Sequence, residues 1–354
     1  AVVWAAAARP QAEELPAQVL LQLATALAEL RERIPQEEED KLDAALLLGL
    51  WPKLAAAAQK DFEGGTASVA GVRWLPDLAR LAGKLPQGNP ATAAFAASVV
   101  RPCAPSLLSL VREDMDAFEL ASPLLHTAGK DAWAALLQLT ALDCLPRLQP
   151  GERGADRLAD VVELVANAEG AAGAAPAFPP FFDFALEELL RRLDDLPQRR
   201  LSHVARRFSQ AHLERPDLLS GAAVAMAARA KRAADVTTDP NRATDVALGL
   251  SSFAALYVRV AGAQVPSDPA ATEKALGAIA DVFELYGEAC EAMASDLCPG
   301  ASEARPVGAE GERHANALCL ALSAFAQVLC RTPPGAAPAA RGRLAARGRL
   351  VLAA

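Results

Sequence analysis

The side chains able to do acid–base, nucleophilic or metal chemistry are few in this chain, and their spacing argues against an active site. His126, His203, His212 and His314 lie apart, with no two at the spacing of metal ligands. His126 precedes a glycine at the end of a helical pattern, and His314 opens another helix. His212 falls on the apolar stripe of its helix and is expected to be interior. Cys103, Cys144, Cys290, Cys298, Cys319 and Cys330 form no C-x-x-C pair. Cys319 and Cys330 sit in apolar helical runs where a thiol acts as a small hydrophobe, so buried free thiols in a reducing compartment are expected. There is no G-x-S-x-G elbow, no H-E-x-x-H and no Rossmann glycine pattern. Gly83-Lys84 and Gly129-Lys130 lack the Ser or Thr that completes a Walker loop. The run "EEED", Glu37 to Asp40, opens a helix, where carboxylates suit the helix dipole and point around the axis rather than at one ion. These readings predict a non-enzyme with no metal and no cofactor.

The cations are more suggestive. "RRLDDLPQRRLSHVARRFSQAHL", Arg191 to Leu213, concentrates arginine inside a chain of net charge −8. At about 100° per residue, Leu201, Val204, Ala205, Phe208 and His212 share one side of a helix, with Arg199, His203, Arg206 and Arg207 opposite. Over residues 191–232 there are ten Lys or Arg and four Asp or Glu, and the next helix ends in Arg229, Lys231 and Arg232. Three readings remain: solvated helix faces, a phosphate-contacting surface built from Arg199, Arg200, His203, Arg206, Arg207, Arg229, Lys231 and Arg232, or contact with an acidic protein. No aromatic set accompanies the arginines, which counts against base-specific reading of single strands. The tail "RGRLAARGRLVLAA" adds Arg341, Arg343, Arg347 and Arg349 without an acid, as an amphipathic helix or an arm ordering on RNA or another subunit.

The elements carrying these residues are expected to be helical throughout. Half the chain is apolar, mostly Ala and Leu, with two Ile and few aromatics, so helix formers dominate strand formers. Asn89-Pro90, Asp239-Pro240 and Asp268-Pro269 each set a capping side chain before a Pro that has no N–H to satisfy. Helix pairs start about every 40 to 55 residues, in the range of stacked helix-pair repeats. The expected fold is an all-α solenoid of about six to seven antiparallel pairs. Composition divides it into 1–169, a Gly/Ala/Pro linker at 170–180, 181–331, and a Pro-rich break with a basic tail at 332–354. Alternatives are a non-repeating bundle or two helical domains split at the linker. No uninterrupted apolar run reaches the roughly 18–20 residues of a membrane span, so "ANALCLALSAFAQVLC" and "VALGLSSFAALYV" read as buried helices and no transmembrane segment is expected. The opening "AVVWAAAARP" has no initiator Met, which fits either a processed targeting peptide or a truncation.

Three helices share a template: "LSHVARRFSQ" around Phe208, "VALGLSSFAA" around Phe253 and "LCLALSAFAQ" around Phe325. Each has apolar residues seven and three or four before the Phe, and a small residue after it. Across 196–330 this patterning resembles the organellar helical-repeat proteins of the FAST-kinase-like, RAP-domain and octotricopeptide kind, although no RAP motif is present. The resemblance implies a non-catalytic, organellar helical-repeat subunit, mitochondrial rather than plastid, that contacts protein neighbours and rRNA within an organellar ribosome. The alternative is a protein-only scaffold or accessory subunit of a respiratory or other multi-subunit complex.

Overall fold

The computed structural model describes residues 17–31, 49–63, 74–85, 89–170, 176–234, 242–262, 268–297, 309–332 and 337–353. Among them there are fourteen helices and no strand. The chain divides into two compact units, Ala1–Arg147 and Leu148–Ala354. The run Glu37 to Asp40, the Asp239-Pro240 cap and Cys298 lie outside the described residues.

The first unit holds α1 (Ala17–Arg31), α2 (Trp51–Glu63), α3 (Leu75–Lys84), α4 (Pro90–Glu113), α5 (Phe118–Ala128) and α6 (Lys130–Leu139). Asn89 caps α4 as its sequence implies, its Oδ1 accepting from the Ala91 N–H at 2.6 Å. Pro102 and Pro105 then remove backbone donors, and α4 widens into a π-helical turn at Ala96–Val100. Trp51 is fully buried on α2, its indole N–H donating to the Ala91 carbonyl at 3.1 Å and its ring 5.0 Å from that of Phe95. Helices α1, α3 and α5 touch in series, as do α2, α4 and α6.

The second unit holds α7 (Glu152–Gly170), α8 (Phe181–Arg191), α9 (Gln198–Gln210), α10 (Pro216–Ala234), α11 (Arg242–Ala261), α12 (Pro269–Leu297), α13 (Ala309–Arg331) and α14 (Pro338–Ala353). Helices α7, α9, α11 and α13 touch in series, and so do α8, α10, α12 and α14. Phe208, Phe253 and Phe325, the three template positions, are buried on successive members of the first series. Gly249 lets α11 and α12 close up: a Cβ there would lie 2.5 Å from the Tyr286 ring. Asp268 caps α12, accepting from the N–H groups of Ala270 and Ala271 at 2.9 and 3.1 Å. Asp183 is buried on α8 and accepts from the N–H groups of Glu214 and Arg215 at 3.2 and 3.3 Å, which fixes the turn into α10.

The structure differs from the compositional reading in where it places its boundary. The unit boundary follows Arg147, because α7 packs on α8 and α9. The 170–180 stretch therefore joins two helices of one unit. The basic tail is the helix α14, packed on α12 and α13. Two segments, α4 and Thr244–Ala261 of α11, are long and apolar enough to cross a bilayer on length and composition alone; 44% and 56% of their apolar windows are buried inside the protein.

Candidate functional site

The arginine-rich helix α9 buries Leu201, Val204, Ala205 and Phe208 against the core, leaving its cations on the far side. Among them, Arg200 and Arg207, with the imidazole of His203 between them, lean onto α7. That helix presents Asp156, Asp160 and Glu163 at successive turns of one face. Arg200 lies 3.4 Å from Asp156, 2.8 Å from Asp160 and 3.8 Å from Glu163, while Arg207 reaches Glu163 at 3.3 Å and His203 reaches it at 4.0 Å. Residue order along the ladder, 200 beside 156 and 160 and then 207 beside 163, shows that α7 and α9 run parallel. Arg199 and Arg206 are exposed and have no partner among the described residues.

The other cations singled out by sequence are also engaged within the chain. Arg229 donates to the Leu196 carbonyl at 3.1 Å, Arg232 pairs with Asp194, and Lys231 meets Asp281 of α12 at 3.0 Å. On α14, Arg341 donates to the Leu329 carbonyl at 2.8 Å and Arg349 to its own helix at Ala345, 3.2 Å away. Arg343 contacts Asp281 at 2.9 Å and Glu284 at 3.2 Å, and Arg347 contacts Glu288 at 2.7 Å and Glu291 at 2.6 Å. Ten of the twelve candidate residues thus have an intramolecular partner. Asp194, which meets Arg232, stands in the sequence among the arginines it could pair with, whereas the other acids lie on α7 and α12 and are not marked by sequence. Their only signal was the helical spacing of carboxylates within "ADRLADVVELV" and "ADVFELYGEACE".

Asp281 links three helices. Burial alone would raise its carboxyl, but the hydrogen bonds from Arg343 and Lys231 outweigh that and hold it below the ordinary aspartate range. A carboxyl lowered by folding stabilises the fold fully above about pH 4 and loses that contribution as pH falls through the lowered value. Asp281→Asn is therefore expected to cost about 0.5–1 kcal/mol at pH 7, the scale of a part-exposed ion network. The difference from wild type should vanish in denaturation curves taken near pH 2, and a pH-independent difference would contradict the linkage.

The cysteines divide by exposure. Cys103, Cys144 and Cys290 are buried, and burial pushes the Cys103 thiol up to about 11 and that of Cys290 to about 12. Cys319 and Cys330 are exposed, contrary to the expectation from their apolar runs, because they lie on the side of α13 away from its packed residues. At pH 8, iodoacetamide is expected to label Cys319 and Cys330 at least about tenfold faster than the three buried thiols, which should react only on unfolding. Mass mapping of the labelled sites decides this. His212 departs from expectation too: α9 ends at Gln210 and Ala211 is extended, so the helical stripe stops short and His212 is exposed.

Two clefts remain. In the first unit, Asn89, Thr92, Arg101, His126 and Thr127 help line one of about 650 Å³. In the second, Asn167, Phe182, Arg207 and His212 help line one of about 570 Å³. Among the described residues no group of three or more His, Cys, Asp and Glu is arranged to hold a metal ion. Comparison with known proteins finds no matching family model and no matching curated protein.

Proposed function

We propose that the chain is a non-catalytic α-solenoid, three helix pairs in the first unit and four in the second, that serves as a protein-binding scaffold subunit of a larger assembly. The alternating series of touching helices supports the stacking, since the second member of each antiparallel pair must bury itself on the second member of the next. The parallel run of α7 and α9 fits the same plan. The observation that carries the choice of partner is that ten of the twelve candidate side chains are engaged within the chain, seven beside carboxylates and three on backbone carbonyls. A surface built for a polyanion would leave its guanidinium groups free for phosphates.

Arg199 and Arg206 favour a second reading, contact with rRNA in an organellar, mitochondrial ribosome. They lie two turns apart on one exposed helix face with no carboxylate engaged. The two readings separate in one experiment. Purified chain and its Arg199→Glu/Arg206→Glu variant are titrated with structured RNA at low and moderate salt, alongside capture of partners with and without nuclease. The scaffold reading expects nuclease-resistant protein partners and no salt-steep RNA affinity. The RNA reading expects binding that weakens about tenfold or more in the double variant. Either way the paired substitution should leave stability within about 0.5 kcal/mol, as an exposed site without partners requires. A larger loss in thermal or urea unfolding would show that these arginines support the fold.

A further inference from the structure

The helix α14 is held differently from the rest of its series. Over sixteen residues it buries three apolar side chains, Ala340, Leu344 and Val351, whereas the 29-residue α12 buries eight among its described side chains, Ala275, Leu276, Ile279, Ala280, Val282, Phe283, Tyr286 and Cys290. Two of its leucines, Leu350 and Leu352, are 54% and 69% exposed. Charge joins α14 to α12 as well. Asp281, Glu284, Glu288 and Glu291 recur at three- and four-residue steps, forming one acidic stripe along α12, and Arg343 and Arg347 of α14 engage all four. Gly287 makes room for this: the aliphatic part of Arg347 lies within 2.8 Å of where a Cβ would stand. Arg343, Asp281, Glu284 and Glu288 are more than a third exposed and open to screening by salt, while Arg347 is 15% exposed and is screened less.

We propose that α14 is a releasable latch over the acidic stripe of α12, and that the uncovered stripe takes an arginine-bearing helix of a partner protein in its place. Charge complementarity sets the partner's chemistry. It must present Arg at a four-residue step on one helical face, as Arg343 and Arg347 do, with an apolar residue beside them that buries as Leu344 does. A helix with little apolar burial and part-exposed ion pairs belongs to the low-stability end of a fold and can open without global unfolding. The surface is separate from Arg199 and Arg206 and does not depend on what, if anything, the α9 face binds.

The test uses the full chain. Hydrogen exchange is followed by mass spectrometry at about 0.05 M and about 0.5 M NaCl, a range that shortens the Debye length severalfold. Protection of 338–353 is expected to fall about tenfold, with less than about twofold change in α11 and α12. The wild-type salt comparison needs no substitution, so it stands even if a variant folds poorly. In the second arm, Arg343→Gln/Arg347→Gln should lose α14 protection at low salt. A synthetic peptide of residues 338–353 should then bind the variant at least about tenfold more tightly than the wild type, with affinity falling as salt rises. Protection of α14 that persists at high salt, or is lost only together with α11 and α12, would overturn the latch. A variant that releases α14 yet fails to bind the peptide would overturn the partner site.

Discussion

Replacing Phe253 by Ala is expected to destabilise the second unit by about 3–5 kcal/mol, the cost of truncating a fully buried aromatic whose site cannot collapse. Phe253 has no exposed surface and sits on α11, which touches α9, α10, α12 and α13, so helices hemming it on several sides resist closing the void. Phe208→Ala should fall in the same range. That ring is also fully buried on α9 and meets Phe182 edge to face at 6.4 Å. Phe325→Ala is expected at the low end of the range, because α13 has no further member of its series beyond it among the described helices, and one flank of the void can relax. Phe253→Leu keeps most of the volume and should cost less than about 2 kcal/mol. Urea unfolding followed by circular dichroism checks the ranking, and the melting midpoint of Phe253→Ala should drop by about 10 °C for a unit of this size. A loss below about 1 kcal/mol would mean that the three phenylalanines are not equivalent core positions.

That ranking rests on features a reader of the sequence could see. Ala and Leu predominance forecast a helical chain, Asn89 and Asp268 marked helix starts that the backbone confirms, and the spacing around Phe208, Phe253 and Phe325 put each ring on a buried stripe. These are local signals, readable within two turns of helix. What escaped is non-local. Arg200 looked like any outward arginine because its acids lie at Asp156 and Asp160, and Arg343 because Asp281 lies 62 residues away. Whether a cation is free depends on which helix becomes its neighbour, and periodicity does not encode that. Exposure of Cys319 and Cys330 has the same origin: an apolar helix at the end of a series keeps one face uncovered, and nothing in its own residues marks it as last. His212 was misplaced for a local reason, a helix end carrying no Gly or Pro at Ala211 to announce it.

Glu188→Ala is expected to cost about 3 kcal/mol, far more than loss of a surface ion pair, because it strips the carboxylate from a largely buried guanidinium. The Glu188 side chain is 5% exposed and that of Arg192 10%, with 3.4 Å between them. Arg192 is further held by the Leu148 carbonyl at 2.9 Å, so it cannot swing out to water without giving up that bond. Removing one member of such a pair takes the nearest opposite charge from a desolvated group, which typically costs about 3–5 kcal/mol, whereas replacing both members with apolar groups is often neutral. The exposed Arg191 also contacts Glu188 and loses little, since water solvates it. Glu188→Leu combined with Arg192→Met should therefore recover most of the stability lost in Glu188→Ala, and Glu188→Gln should fall between the two. The readout is the urea midpoint of each variant at pH 7. If the double variant is as unstable as the sum of its single changes, the cost lies in packing around α8 rather than in the stranded charge, and Arg192 is better solvated than its burial implies.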